Sequence, residues 1–182
     1  METIVLNIIG GPGAGKTTIA SEVFVRLKKL NVDCENVFEF AKELVWSQRN
    51  NAFNDRLYMH AMQNHRLFLI NGKVEVIVCD SPLLLTSIYN HFYLENEHSS
   101  SYNKMIDTMV LETWKLYHNV TYFIERDTCY VDNGRRESNA EALEIDKRIL
   151  NYLEKNKIPY QKVSLEKAAD QIYDDIKERL GK

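Results

Sequence analysis

The chain reads as an α/β fold: a five-stranded parallel sheet with helices on both faces, three layers in all. Three observations predict it. The apolar run Ile4-Val5-Leu6-Asn7-Ile8-Ile9 feeds directly into Gly10-Gly11-Pro12-Gly13-Ala14-Gly15-Lys16-Thr17-Thr18. Strand-like and helix-like segments then alternate to the end of the chain, the pattern of parallel strands joined by crossover helices. Residues 74–79 are almost wholly apolar, as an interior strand covered on both faces requires.

The elements follow in order. Residues 4–9 are the first strand. Residues 16–30 read as a helix with Ile19, Val23, Leu27 and Leu30 on one face. A second strand at 32–38 is less apolar, which places it nearer an edge. Residues 41–48 are helical until Asn50-Asn51 breaks the pattern. A longer helix at 55–70 stops at Asn71-Gly72. After the third strand, Ser81 is the expected N-cap of a helix beginning near Pro82. Residues 91–101 are polar and loop-like. Residues 102–118 form a helix carrying Met105, Met109, Trp114 and Leu116, and 120–124 the fourth strand. The polar segment 126–138 contains an Asn133-Gly134 turn. A helix at 139–155, a short strand at 160–163 and a helix at 166–180 close the chain. Its 182 residues fit one domain.

The glycine-rich segment matches G-x-x-x-x-G-K-[ST] from Gly10 to Thr17, with strand before it and amphipathic helix after it. Glycines let such a loop turn its N–H groups inward onto phosphate oxygens, and the following helix adds its positive end. Gly11, Gly13, Ala14, Gly15, Lys16, Thr17 and Thr18 are the residues expected to cradle ATP. Lys16 places a cation against the outer phosphates, and the Thr17 hydroxyl is positioned for Mg²⁺.

Ligands in open parallel sheets lie beyond the carboxyl ends of the strands, so residues there are the remaining candidates. Asp80 ends the third strand. It can hold Mg²⁺ or cap the next helix, and the two roles are compatible. Glu39 follows the second strand. It can take a proton from, or orient, an acceptor hydroxyl, or it can be an acid favoured by the helix dipole. Arg126, Arg135 and Arg136 flank the polar segment 126–138. Mobile arginines there can close as a lid over the transferring phosphoryl group and exclude water, although an exposed arginine pair also suits a solvated turn. Gln63 and Arg66 share one face of the helix at 55–70. They can read a base or a substrate phosphate, or simply form a polar face. His60 and His65 are expected on the surface. Phe40, Tyr89, Phe92 and Tyr93 fall near the expected pocket.

Together the phosphate loop, Glu39-Phe40-Ala41-Lys42, Asp80-Ser81-Pro82, Asp132-Asn133-Gly134-Arg135 and Glu141-Ala142-Leu143-Glu144-Ile145-Asp146 resemble small AAA-type P-loop proteins. The set is similar to the kinase domain of nicotinamide riboside kinases and to phage-encoded nucleotide kinases. More distantly it resembles deoxynucleoside and thymidylate kinases. The resemblance covers nearly the whole chain. It implies a P-loop kinase moving the γ-phosphate of ATP to a nucleoside or nucleoside monophosphate. Glu39 would contact the acceptor, Asp80 would lie near Mg²⁺, and the segment around Arg135 would be the lid. The chain departs from deoxynucleoside kinases at Ser81, where those enzymes place an arginine. A catalytic arginine must then come from Arg126, Arg135 or Arg136. Related kinases are often dimers, so the resemblance also implies a possible homodimer.

Composition narrows the alternatives. A net charge of -3 counts against broad duplex-DNA binding. A kinase acting on a modified (hydroxymethyl) base in DNA needs only a local basic patch and stays open. So does an ATPase or nucleotide switch without a small-molecule acceptor. No apolar run approaches bilayer-spanning length, and no basic-then-apolar leader opens the chain. Cys34, Cys79 and Cys129 lack metal spacing and suit a reducing, cytoplasmic setting (the host cytoplasm, for a phage-encoded chain). Cys79 reads as a small core residue.

Overall fold

Strand pairing follows the expected alternation. The computed structural model describes residues 2–48, 50–126 and 138–182. Its strands are β1 (Ile4–Ile9), β2 (Cys34–Val37), β3 (Val76–Cys79), β4 (His118–Glu125) and β5 (Gln161–Ser164). They lie in the order β2-β3-β1-β4-β5, and every pair is parallel. Val5 faces Ile77 across one side of β1 and Asn119 across the other. β2 is at an edge and β3 inside, as their compositions require.

Seven helices connect these strands among the described residues: α1 (Lys16–Lys29), α2 (Phe40–Trp46), α3 (Arg56–Ile70), α4 (Leu85–Tyr93), α5 (Ser100–Trp114), α6 (Asn139–Lys155) and α7 (Ala168–Arg179). A 3₁₀ turn at Asn50–Asn54 precedes α3. Alternating side chains of each strand point to opposite faces. Leu6, Ile8, Val76, Val78 and Ile124 therefore pack under Ile19, Val23 and Leu27 of α1 and Ile172 and Ile176 of α7. Val5, Ile9, Ile77, Cys79 and Phe123 pack on the other face under Leu67, Leu85, Ile106, Val110, Ile145 and Ile149. Each face thus buries a continuous apolar layer, and burial of such surface drives folding.

Three expected boundaries are corrected. Ser81 caps no helix. A turn closed by Leu85 N–H onto the Pro82 carbonyl at 3.0 Å intervenes, and α4 starts at Leu85. The segment expected as loop from 91 instead carries α4 to Tyr93, because Ile88 is buried and Tyr89 and Phe92 pack against that layer. α5 begins at Ser100, capped by the Ser99 hydroxyl accepting from Tyr102 N–H at 3.2 Å, and ends at Trp114. α6 matches the expected helix and opens with a capping box in which Ser138 and Glu141 bond reciprocally.

Candidate functional site

The strand ends converge on one cleft of about 1080 Å³. It is walled by the loop from Pro12 to Thr18, by Glu39 to Lys42, by the start of α3, and by α4 with the segment before it. The loop takes its shape from its glycines. Gly13 and Gly15 adopt φ of 83° and 80°, a region that side-chain-bearing residues enter only at a cost. Gly15 then starts α1 in this conformation, and its carbonyl accepts from Ile19 N–H at 3.0 Å. No side-chain cap covers the first turn of α1. Its N–H groups face the loop's concavity, the arrangement that suits phosphate oxygens.

Lys16 lies half-buried with its ammonium donating to the Gly11 carbonyl at 2.9 Å. Burial pushes it below its ordinary value. Glu39, Asp80 and Asp146 pull it back, and Arg126 adds to the depression. A lysine held this way is ready to exchange a carbonyl for a phosphate oxygen.

Thr17 and Asp80 meet although 63 positions separate them. The Thr17 hydroxyl donates to Asp80 Oδ2 at 2.6 Å and accepts from Lys42 Nζ at 2.9 Å. Asp80 is 3% exposed, and its Oδ1 is buried without a hydrogen-bond partner among the described residues. A hydroxyl and an under-satisfied carboxylate form a hard oxygen donor set that fits Mg²⁺. The Lys42 ammonium already places positive charge at that hydroxyl.

The remaining expected residues divide. Glu39 is the N-cap residue of α2 and lines the cleft, with no side-chain capping bond. Gln63 also lines it, but its Oε1 accepts from Phe40 N–H at 3.0 Å, so it fixes the start of α2. Arg66 is not among the lining residues. It pairs with Glu43, donates to the Phe38 carbonyl at 3.0 Å, and lies 5.2 Å over the Phe40 ring, a brace for α2. Phe40, Tyr89 and Tyr93 line the cleft, the two tyrosine rings nearly parallel at 6.0 Å. Phe92 packs edge-on against Tyr93 from outside the lining. Arg135, Arg136 and the body of the expected lid lie outside the described residues.

Two expectations are corrected here. Gly11 does not turn its amide into the cradle. That N–H donates to Asp146 Oδ1 at 2.6 Å. His60 is 2% exposed, not a surface residue. Its Nε2 lies 2.8 Å from Thr113 Oγ1, which itself donates to the Met109 carbonyl, so Nε2 carries the proton. Burial lowers its pKa to about 4. His65 is exposed, as expected.

Sequence reasoning missed Asp146 and Arg56. Asp146 Oδ2 accepts from Arg126 Nε at 2.6 Å, and Arg126 Nη2 donates to the Pro12 carbonyl at 3.0 Å. This clamp holds the loop from outside the cleft, and a Cβ on Gly11 would meet Asp146 Oδ1 and the Ala142 carbonyl at 2.8 Å each. The available signal was an acid beside the apolar stripe Ala142, Ile145, Ile149, Leu153. Arg56 is 6% exposed and lines the cleft. Its signal was a polar stripe, Arg56, His60 and Gln63, in register with buried Leu67.

No group of three or more metal-ligating His, Cys, Asp or Glu side chains occurs among the described residues. None of the described helices is long and apolar enough to cross a membrane.

Residues 5–170 match the family model described as AAA domain. No curated protein matches the chain by sequence. Among solved structures, a NadR protein in complex with NR superposes with a TM-score of 0.72 at 17% identity, covering 99% of this chain and 52% of that one. Thymidylate kinase from Ehrlichia chaffeensis superposes with a TM-score of 0.62 at 14% identity, covering 99% of this chain and 100% of the other. The chain thus spans about half the length of the NadR chain. The chain therefore shares its fold with that NadR protein and with that thymidylate kinase.

Proposed function

The chain belongs to the AAA domain family, and from that premise we propose that it is an ATP-dependent phosphotransferase whose acceptor is a nucleoside or nucleoside monophosphate. The observation that carries this reading is the Thr17–Asp80 contact at 2.6 Å, with Thr17 and Lys16 on the wall of a cleft far larger than a triphosphate tail needs. A switch needs only the nucleotide. A kinase needs room for a second reactant, and the aromatic and polar wall of Phe40, Gln63, Tyr89 and Tyr93 supplies it.

The chain's own residues do the following work. The amides of Gly13 and of Gly15 to Thr18 and the Lys16 ammonium hold the triphosphate and stabilise charge on its outer phosphates, while Ala14 N–H donates to the Gly11 carbonyl at 3.3 Å. Thr17 and Asp80 would hold Mg²⁺, which when bound neutralises developing phosphate charge. Glu39, whose charge acts on Lys16, orients an acceptor hydroxyl from the wall of the cleft. Asp146 and Arg126 keep the loop in its binding shape. Catalysis by this set is positioning and electrostatic stabilisation.

Lys16→Ala tests it. Phosphotransfer, followed as ADP release with a nucleoside and nucleotide panel, is expected to fall by about a hundredfold to a thousandfold, the scale of one preorganised charge contact. Thermal stability should hold within about 1 kcal/mol, since Lys16 makes one ordinary hydrogen bond. Full activity in the variant, or enzyme-like ADP release that no acceptor accelerates, overturns the assignment.

A further inference from the structure

We propose that Lys42 is a catalytic residue whose ammonium meets the γ-phosphoryl group of ATP from the acceptor side and stabilises it in transit. The inference rests on the reading of the cleft as a phosphotransfer site and gives that site a further working group. Lys42 belongs to α2, 25 positions from Thr17, yet its Nζ donates to the Thr17 hydroxyl at 2.9 Å. That hydroxyl gives its own proton to Asp80 Oδ2 at 2.6 Å. In a phosphate loop this hydroxyl stands beside the outer phosphates, so an ammonium one hydrogen bond away reaches the same oxygens.

The turn that carries Lys42 is fixed on both sides. Phe40 N–H donates to the buried Gln63 at 3.0 Å, and the Phe40 ring lies under the Arg66 guanidinium. Glu43 pairs with the same arginine. Both braces come from α3, and Lys42 sits between the residues they hold. Glu39 opens this turn and Lys42 follows three positions on, a spacing that puts two side chains on one face. Both line the cleft.

Charge sharpens the point. The cations among the described lining residues are Lys16, Lys42 and Arg56. The Lys16 ammonium is on the Gly11 carbonyl, and Arg56 donates to the Tyr89 carbonyl of α4 at 3.5 Å. Lys42 is the cation in contact with the Thr17–Asp80 pair. Its partner there is a neutral hydroxyl, and a phosphate oxygen makes the stronger bond to an ammonium. Lys16 approaches a triphosphate from the loop, whereas Lys42 approaches from the wall that carries Glu39. A phosphoryl group leaving ADP moves toward its acceptor, with negative charge spread over its equatorial oxygens. A cation on the acceptor side therefore interacts more strongly with the transition state than with bound ATP, the condition for raising kcat.

The step balances. An acceptor oxygen forms a bond to the γ-phosphorus of ATP. The bond from that phosphorus to the β–γ bridging oxygen breaks, and its electron pair leaves with ADP. A hydroxyl acceptor passes its proton to the Glu39 carboxylate, and a monophosphate oxygen, ionised near neutral pH, has none to pass. Lys42 neither gives nor takes a proton.

The test uses the full chain with Mg²⁺ and two readouts. Calorimetry compares ADP with adenylyl imidodiphosphate, which keeps a γ-phosphoryl group but resists its transfer. Lys42→Met should weaken the analogue by about tenfold, the scale of a hydrogen bond to a charged group, and leave ADP within about twofold of wild type. Lys16→Ala should weaken both, because that lysine reaches the β-phosphate as well. Kinetics then follow ADP release with ATP and a panel of nucleosides and their 5′-monophosphates. For the acceptor that wild type phosphorylates, Lys42→Met should lower kcat by about a hundredfold, the scale of one lost transition-state contact, and change the acceptor KM far less. Lys42→Arg, which keeps the charge, should recover most of that loss. Lys42 is exposed, so the urea midpoint of Lys42→Met should match wild type. A Lys42→Met kcat within about threefold of wild type, against the scale of such a contact, would overturn the inference and leave the kinase reading standing. Equal losses of ADP and analogue affinity would do the same, since Lys42 would then only shape the loop. If wild type phosphorylates no acceptor, the kinase reading falls and the catalytic role falls with it.

Discussion

Asp146→Ala should be the most destabilising single change among the residues around the phosphate loop. The Asp146 and Arg126 side chains are 12% and 11% exposed, so solvent screens their contact little. One carboxylate answers two demands there, the Arg126 guanidinium through Oδ2 and the Gly11 amide through Oδ1, each at 2.6 Å. Removing it leaves a buried cation facing the Pro12 and Ala142 carbonyls and a buried N–H without an acceptor. Breaking a buried pair from one side costs about 3–5 kcal/mol, a figure that includes the abandoned charge. That is a large part of an ordinary domain's stability of about 5–15 kcal/mol. Asp146→Asn keeps one oxygen for Gly11 but no charge, and should lose about half as much. Urea unfolding followed by circular dichroism measures both. Arg126→Met in the Asp146→Ala background should recover part of the loss, because the guanidinium that Asp146 held is gone. A loss below about 1 kcal/mol for Asp146→Ala, against the scale expected of a buried pair, would refute the clamp. So would a double variant no more stable than the single one.

Other outcomes follow from the same physics. The His60 pKa is depressed to about 4 from an ordinary 6.5, so the unfolded chain binds its proton first as pH falls. Its contribution is therefore complete above pH 6.5, declines down to about pH 4 and amounts to about 3 kcal/mol; His60→Gln should remove that share of the acid slope in urea titrations run at several pH values. Cys34 and Cys79 are fully buried, and burial pushes their thiols up to about 11 and about 12. Peptide mapping after iodoacetamide treatment at pH 8 should find both unmodified in folded protein and modified in urea, since the thiolate is the reactive form. Ser138→Ala breaks the capping box of α6 and should cost about 1 kcal/mol by chemical denaturation.

What the sequence made legible is what short segments encode. The loop from Gly10 to Thr17 carries its own geometry in its glycines, and β1, β3 and α6 declare themselves by local apolar pattern. The errors share a cause. His60 looked like surface polarity and Asp146 went unassigned because their partners are remote, Thr113 at 53 positions and Gly11 at 135, and the bond that ties the substrate candidate Gln63 to Phe40 N–H spans 23. A polar group is admitted to an interior only with a partner, and no local window contains these. The α4 boundary failed in the same way. His91 is polar, but the helix continues through it because Ile88 and Phe92 have an apolar layer to meet. A sharper rule follows for chains of this kind. A charged or amide residue on the apolar stripe of a strongly amphipathic helix implies a partner elsewhere, and in an open parallel sheet that partner lies near a strand's carboxyl end. Asp146 on α6 and Gln63 on α3 obey it: Gly11 and Arg126, the partners of Asp146, follow β1 and β4, and Phe40, the partner of Gln63, follows β2.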